Sequence, residues 1–294
     1  MQIVAKNLSF AYDGGQKNAR RALNDINLTV NDGDFFGIIG HTGSGKSTFI
    51  QHLNGIIKTQ SGTLTVGGYD LSAGVKNKPA ILKNLRKEVG LVFQYPEYQL
   101  FAETVADDVA FGIKNYFPER TAEETEAGVV RAMSLTGLNY NELKNRSPFE
   151  LSGGQKRRVA IAGVLACEPG LLVLDEPVAG LDPEGKKSLM KTLKGLLKGG
   201  VETIIIVSHD LDEVCENCNK IAVFSEGKVT VSGTPEEIFS DRETIFKSGL
   251  DLPVTAYLEQ KLEERGIKVK SDYTADGFIG SFYEEYLKKK VNRF

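Results

Sequence analysis

The sequence predicts an α/β fold: a mostly parallel sheet with an N-terminal antiparallel β part, an inserted helical subdomain and a short helical C-terminal extension. Three observations favour this fold. Strand-sized apolar segments alternate with helical ones, which is typical of a parallel sheet covered by helices on both faces. A glycine-rich segment at residues 40–47 separates an apolar strand from a helix. The stretch from Gln94 to Leu151 is predominantly helical and interrupts the alternation.

The strands follow from their apolar patterns. Gln2–Phe10 and Ile26–Val30 alternate apolar and polar residues, as strands with one solvated face do. Phe35–Ile39 is apolar apart from one glycine, which is typical of a strand covered on both faces. It runs into the glycine-rich segment, and a helix is predicted from about Gly45 to Leu53. Further strands are predicted at Gly62–Val66, Val89–Phe93, Leu171–Leu174, Thr203–Val207 and Lys220–Phe224.

Helical segments fill most of the remaining chain. Residues 104–145 are predicted to be mostly helical, with a capping box at residues 121–124. Three further helices are predicted to begin at Ser152, Pro183 and Asp210. We therefore divide the chain into a domain of residues 1–240, whose helical subdomain covers about 95–165, and an extension of residues 241–294. Apolar residues in the extension share two helical faces, which either dock on the core or contact a partner: Val254, Tyr257, Leu258 and Leu262, then Phe278, Ile279, Phe282, Tyr283, Tyr286 and Leu287.

Composition and charge restrict the function classes. The net charge is −3, which argues against a general nucleic-acid binder, and we expect no nucleic-acid partner. No apolar run approaches the length that spans a bilayer, and no signal peptide is visible, so any membrane-spanning part is expected in another chain. We interpret Cys167, Cys215 and Cys218 as reduced structural thiols, because a zinc site needs more ligands than Cys215 and Cys218 supply.

Residues 40–47 fit the pattern Gly-x-x-x-x-Gly-Lys-Ser, which is the phosphate loop of P-loop NTPases. Its glycines let the backbone wrap phosphate groups, so that N–H groups and the helix N-terminus point at the anion. Lys46 supplies a positive charge, and the Ser47 hydroxyl suits Mg²⁺. His41 is interpreted as a spacer. The predicted nucleotide-binding residues of this segment are Gly40, Thr42, Gly43, Ser44, Gly45, Lys46, Ser47 and Thr48.

Two carboxylates follow the apolar strand at Leu171–Leu174. Ligands of open α/β sheets bind beyond the carboxyl ends of the strands. Asp175 is therefore a candidate Mg²⁺ ligand through water, and Glu176 a candidate general base for an attacking water. An acidic strand end that merely caps the next turn is the alternative, and the phosphate loop disfavours it because bound Mg²⁺ needs a carboxylate.

Two more polar residues end strands at the same sheet edge. His209 follows Thr203–Val207, where an imidazole can contact a γ-phosphate. Gln94 follows Val89–Phe93 and offers an amide oxygen to Mg²⁺ or to water. Each of these residues is a weak signal alone. The convergence of four strand ends on one edge of the sheet makes the combined signal specific.

A second helix start has an anion-binding character. Ser152 can cap the helix after it, and Gly153 and Gly154 expose backbone N–H groups, with Gln155 completing the segment. A well-capped structural helix is the alternative. We interpret residues 156–158, Lys-Arg-Arg, as a solvated helix face.

With these residues in place, the chain resembles an ATP-binding-cassette (ABC) ATPase over about residues 1–240. The motifs match in order: Tyr12 the adenine-stacking aromatic, Gly40–Ser47 Walker A, Gln94 the Q-loop, Leu151–Gln155 the signature, Leu171–Glu176 Walker B, Ala179–Asp182 the D-loop and His209 the H-loop. The resemblance implies ATP hydrolysis with Mg²⁺, and a pair of cassettes that sandwich two ATP molecules. Each signature helix, with Ser152–Gln155 and Asp182, would then face the ATP held by the other subunit.

The detailed sequence of several segments is similar to the second (A′) ATPase of energy-coupling factor (ECF) transporters. These ATPases are related to cobalt-importer ATPases. The matching segments are Gly40–Lys46, Val92–Phe101 and the short tail. The resemblance implies a paralogous ATPase partner in preference to a second copy, a transmembrane T component contacted by Tyr98–Phe101, and substrate-binding S components for micronutrients. It also implies a peripheral position at the cytoplasmic face of the membrane, with the extension strengthening cassette pairing.

Two other functions remain open from the sequence. The first is a soluble ABC ATPase acting on ribosomes or DNA, although such proteins usually carry two cassettes or long coiled coils. The segment between Lys46 and Ser152 has no sustained heptads. The second is a catalytically weak regulatory cassette, with which the intact Glu176 and His209 conflict.

Overall fold

A computed structural model describes residues 1–12 and 21–291 of the chain. Side chains are described for all of these residues except 288–291. The strands are β1 (Ile3–Phe10), β2 (Leu23–Val30), β3 (Phe35–Ile39), β4 (Ser61–Val66), β5 (Tyr69–Asp70), β6 (Val89–Val92), β7 (Leu171–Asp175), β8 (Thr203–Val207), β9 (Lys220–Ser225) and β10 (Lys228–Gly233). The helices are α1 (Lys46–Leu53), α2 (Pro79–Glu88), α3 (Val105–Tyr116), α4 (Ala122–Leu135), α5 (Tyr140–Leu143), α6 (Gly153–Leu165), α7 (Pro183–Lys198), α8 (Leu211–Asn217), α9 (Pro235–Ser240), α10 (Arg242–Lys247), α11 (Val254–Glu263) and α12 (Ala275–Val291).

The larger sheet has six strands in the order β10-β9-β3-β8-β7-β6. Strands β9, β3, β8, β7 and β6 are parallel, and β10 joins antiparallel beside β9. Strands β3, β7 and β8 are buried along their whole length because both faces of the sheet are covered, one of them by α1 together with the smaller sheet. The predicted mostly parallel sheet is confirmed. Its parallel strands end at one edge, where Gly40, Glu176 and Ser208 follow β3, β7 and β8.

The smaller sheet is antiparallel, with the order β2-β1-β4-β5. Alternate side chains of β1 and β2 point inward, and they enclose a second hydrophobic core with Phe36, Phe49 and Phe224. These three aromatic side chains are fully buried. The predicted N-terminal antiparallel part is therefore confirmed, and it packs against helix α1.

The helical subdomain is built by α3, α4 and α6. Val109, Met133 and Val159 are fully buried between these helices. The predicted capping box is present, with Thr121 accepting from Glu124 N and the Glu124 carboxylate accepting from Thr121 N. Helix α6 leads into β7, so the subdomain is attached directly to the central sheet.

The C-terminal extension combines buried and exposed parts. Ile245 in α10 and Ala256 in α11 are fully buried. The predicted apolar faces of α11 and α12 are exposed instead, with Val254 at 58%, Ile279 at 63% and Tyr283 at 60%. Over the described residues, the chain has no helix that is both long enough and apolar enough to cross a bilayer.

Candidate active site

The phosphate loop connects β3 to α1 through a glycine with positive φ at the helix start. Gly45 is the N-cap of α1 and has φ 105°, and a Cβ there would lie 2.5 Å from the Ala22 carbonyl oxygen. A glycine is therefore required, because other residues rarely adopt this φ and the space is occupied. The free N–H groups of the first turn of α1 point into the loop, which favours an anion there.

Lys46 lies at the centre of this loop. Its ammonium donates to the carbonyl oxygens of Gly40 at 2.6 Å and His41 at 3.0 Å, and the side chain is mostly buried. Burial lowers the pKa of Lys46, although the nearby carboxylates of Glu176 and Asp175 act in the opposite direction. A cation that is only partly solvated interacts strongly with an incoming phosphate.

A cavity of about 810 Å³ opens beside the phosphate loop. It gathers most of the predicted nucleotide-binding residues from five separate parts of the chain: Tyr12, Gly40, Thr42, Gly43, Gly45, Lys46, Ser47, Thr48, Gln94, Asp175, Glu176 and His209. Ser44 is instead fully buried beneath the loop, and its hydroxyl has no hydrogen-bond partner among the described residues.

Tyr12 forms one wall of the cavity. Its ring is 62% exposed and packs edge-on against Phe10, with ring centroids 5.0 Å apart. Its hydroxyl lies 3.0 Å from Thr48 Oγ1, which ties the ring to α1. A fixed ring with an open face can stack on a flat base.

The candidate magnesium ligands line the same cavity as Tyr12. Ser47 Oγ donates to Asp175 Oδ2 at 2.9 Å, and Gln94 is exposed to the same space. Burial raises the pKa of Asp175, the charge of Glu176 raises it further, and the Ser47 bond lowers it. A hydroxyl beside a buried carboxylate fits Mg²⁺, which takes oxygen ligands and usually keeps several waters. No cluster of three or more acidic, His or Cys ligands occurs in the described residues.

Glu176 and His209 meet at the ends of β7 and β8. His209 Nδ1 lies 2.8 Å from Glu176 Oε2, and the Glu176 N–H donates to the Val207 carbonyl oxygen at 2.8 Å. The Glu176 side chain is 12% exposed, whereas that of His209 is 73% exposed. The carboxylate is thus held by the sheet and oriented by the imidazole, which is the arrangement a general base requires.

The second helix start has a cavity of its own, of about 780 Å³. Ser152 Oγ accepts from Gln155 N at 3.3 Å, and the Gln155 side chain accepts from Ser152 N at 3.1 Å. The Asp182 carboxylate accepts from Gly185 N at 2.7 Å and caps α7 on the other side of this cavity. Ser152, Gly154, Gln155 and Asp182 line it, and none of them reaches the phosphate-loop cavity.

Comparison with known proteins identifies the family of the chain. The ABC transporter family model matches residues 23–179, more than half of the chain. The chain belongs to this family. The chain is 46% identical to the energy-coupling factor transporter ATP-binding protein EcfA2 of Clostridium acetobutylicum, over 100% of this chain and 98% of that protein.

Two solved structures extend the comparison. CbiO1 from Clostridium perfringens, part of the ABC transporter complex CbiONQ, is 38% identical with a TM-score of 0.73, covering 88% of this chain and 98% of its own. The dimeric cassette MJ0796, bound to ADP and Pi, is 26% identical with a TM-score of 0.70, covering 79% and 98%. The predicted ABC fold, ATPase activity and similarity to ECF ATPases are confirmed.

One prediction from the sequence of this ABC ATPase is wrong. Residues 156–158 were expected to form a solvated face, but Arg157 is only 4% exposed. It turns inward because Glu97 and two backbone carbonyls form a polar site beneath α6. Its neighbours Lys156 and Arg158 are half-buried.

The extension contributes to the ATP cavity of the cassette, which the sequence did not indicate. Gly249, Leu250 and Asp251 line the cavity together with Leu211. A Cβ on Gly249 would lie 3.7 Å from His41 Cδ2, so the extension runs directly beside the phosphate loop. These residues lie about 200 positions from the loop and match no motif.

The three cysteines of the cassette lie in its interior. All three are free and buried, and burial raises the pKa of each thiol, that of Cys167 to about 11. Buried thiols with a raised pKa carry little thiolate and react poorly.

Proposed function

We propose that this ABC ATPase energises an ECF-type importer of vitamins or other micronutrients. It acts as a peripheral subunit at the cytoplasmic face of the cell membrane, with a second ATPase chain, a transmembrane T component and substrate-binding S components. The support is the relative from Clostridium acetobutylicum, an ECF transporter ATP-binding protein that aligns with this chain over its whole length.

The separation of the two cavities is the observation that supports a paired ATPase. The phosphate-loop cavity and the signature cavity share no lining residue. A second cassette is therefore needed to bring a signature helix to the phosphates, and the similar cassette MJ0796 is a dimer in its structure with ADP and Pi. We favour a paralogous partner over a second copy, because the numeral in the relative's name, EcfA2, suits a protein that has a differently numbered companion.

The chemistry follows from the residues around the phosphate-loop cavity. Tyr12 stacks on the adenine, and the amides of residues 40–48 with Lys46 hold the phosphates. Ser47 and Asp175 would hold Mg²⁺, with Gln94 and water completing the set, and the bound ion would supply positive charge beside the phosphates.

Hydrolysis depends on the pair at the ends of β7 and β8. Glu176 orients the attacking water and accepts its proton. His209 fixes the Glu176 carboxylate through the 2.8 Å contact, and its imidazole is the group that would contact the γ-phosphate. Ser152, Gly153, Gly154, Gln155 and Asp182 act on the ATP that the partner holds.

The proposed contact with the T component is an aromatic surface after the Q-loop. Tyr98 is 84% exposed and Phe101 59% exposed. Phe101 and Phe111 border a groove of about 550 Å³ between the sheet and the helical subdomain. Exposed aromatic side chains beside a groove are typical of an interface.

Co-purification tests this function. The tagged chain is extracted with detergent, and its partners are identified by mass spectrometry of the intact complex. We expect the parent chain to co-purify with a second ATPase and a membrane protein. Phe246→Ser, which changes another exposed aromatic residue, is the control and should keep both partners. Phe101→Ser should lose the membrane protein. The absence of any membrane protein with the parent chain would contradict the importer function.

A further inference from the structure

Arg157 is a buried cation that connects three segments of the cassette. It lies in α6, two residues after the end of the signature segment Leu151–Gln155. Its Nε and Nη2 donate to Glu97 Oε2 and Oε1, both at 3.3 Å. Its Nη1 donates to the carbonyl oxygens of Pro177 at 3.1 Å and Ala179 at 2.5 Å. Every guanidinium nitrogen therefore has a partner outside α6.

The shape of the guanidinium fixes these segments relative to one another. Its donors lie in one rigid plane, so one edge binds the Glu97 carboxylate and the other binds the two carbonyls at a set angle. A buried charge is destabilising unless it is paired and hydrogen-bonded, so the contacts are maintained together or lost together. A lysine offers a single flexible ammonium and cannot reproduce both edges.

The two ends of this connection differ in function. Glu97 lies in the 3-10 turn Pro96–Gln99, which also carries Tyr98 of the proposed membrane-partner surface. Pro177–Ala179 directly follows the general base, and Ala179 N donates back to the Glu176 carbonyl oxygen at 3.2 Å. Arg157 is thus a physical link between the partner surface and the loop behind Glu176.

We propose that Arg157 is a positioning residue that transmits the state of the membrane-partner surface to the loop behind Glu176. This inference rests on the proposed importer function. Arg157 lines the signature cavity and not the phosphate-loop cavity. Its loss therefore affects the rate of hydrolysis and its stimulation by the membrane partner, and leaves the affinity of this chain's own phosphate loop for ATP intact.

The test measures kcat and KM for ATP in the complete complex and in the full-length chain with its partner ATPase alone. The variants are Arg157→Lys and Glu97→Gln, singly and combined. Arg131→Lys is the matched control, because Arg131 also pairs with a glutamate, Glu168, but is half exposed on the same subdomain. Thermal melting and nucleotide binding report folding.

We expect both single variants and the combined variant to lower the stimulation of kcat by the membrane partner by the same factor, at least about fivefold. KM changes less than about twofold, and Arg131→Lys behaves as the parent. If Arg157→Lys fails to bind nucleotide, the result of Glu97→Gln decides the test, because glutamine keeps the shape of the glutamate side chain.

Two results overturn the inference while the importer function stands. One is normal stimulation in Glu97→Gln or in folded Arg157→Lys, and the other is a raised KM with unchanged stimulation. If the parent chain recruits no membrane protein, the importer function fails and this inference fails with it.

Discussion

Glu176 has a left-handed backbone conformation, which is unfavourable for residues other than glycine. Its φ is 50°, immediately after the last residue of β7. Such a conformation costs of order 1 kcal/mol and persists because the Val207 carbonyl oxygen and His209 hold the residue on both sides. It directs the carboxylate into the ATP cavity instead of along the sheet.

The first prediction concerns this carboxylate. Glu176→Gln keeps the shape of the side chain but cannot accept a proton, so we expect ATP binding to persist while turnover falls at least about a hundredfold. Glu226→Gln is a matched control, because Glu226 also has positive φ, 49°, but lies exposed in the turn between β9 and β10. Near-normal turnover by Glu176→Gln at sites containing this residue removes it as the base.

A second prediction concerns Glu213, a buried carboxyl beneath the His209 loop. Its Oε2 accepts from Ser208 Oγ at 3.2 Å, and its Oε1 has no hydrogen-bond partner among the described residues. Burial, assisted by the charge of Asp210, raises the pKa of Glu213 to about 7 from an ordinary 4.5. The folded chain therefore holds a proton that the unfolded chain has released, and the free energy of unfolding falls as the pH rises from about 4.5 to about 7.

Glu213→Gln removes this pH dependence, because an amide does not ionise. Chemical denaturation should give a free energy of unfolding about 2–3 kcal/mol above the parent's at pH 8, and close to the parent's at pH 5. An equal difference at both pH values would contradict the raised pKa.

Helix α8 connects the His209 loop to the extension through two acidic side chains on one face. Asp212 Oδ1 accepts from Val254 N at 2.8 Å, at the start of α11. Glu216 Oε1 accepts from Ala275 N at 2.6 Å, at the start of α12. Helix α11 lacks a side-chain cap of its own, since its N-cap is Pro253. The two carboxylates therefore cap tail helices from outside them.

A third prediction follows for Asp212. Asp212→Ala removes the cap and should weaken α11 by about 1 kcal/mol, whereas Asp212→Asn keeps an accepting oxygen and should retain most of the stability. Hydrogen exchange over residues 254–263 measures this directly. Equal protection in the Ala and Asn variants would show that the side-chain cap does not hold α11.

The elements that the sequence predicted well are those with strong local patterns. Strands β3 and β8 have the predicted bounds, because each is a short apolar run buried on both faces. Strand β10 was not predicted, since its residues alternate between half-buried and exposed without a fully buried position. Helix α2 was also missed, because Leu85 is its only fully buried residue.

The site was predictable where motifs end strands and unpredictable where distant segments meet. Glu176 and His209 follow two apolar strands, and parallel strands bring such ends together. The contact of Arg157 with Glu97 joins positions 60 residues apart, and no local pattern records it. The same holds for Gly249–Asp251 beside the phosphate loop.

The exposed apolar face of α12 makes the extension a candidate pairing surface of the molecule. Ile279, Tyr283 and Tyr286 are all more than half exposed. Ile245 and Ala256, in contrast, are fully buried, so removal of everything after residue 240 would damage the core. A cut after Thr274 removes the exposed helix and spares those buried residues.

The fourth prediction uses this cut. The chain truncated after Thr274 should bind ATP normally and pair with its partner ATPase at least about tenfold more weakly, because the apolar area of α12 is lost. Analytical ultracentrifugation with the partner present measures the change. An unchanged dissociation constant would reject α12 as a pairing element.

The division of each ATP site between two chains is tested most directly by the hydrolysis rate of the purified full-length chain, measured with its mass in solution. A monomer should bind ATP and hydrolyse it negligibly, because its signature cavity lies apart from its phosphate loop. Turnover should appear as the partner ATPase is added and saturate at one partner per chain. Hydrolysis by a verified monomer at the rate of the pair would contradict a composite site.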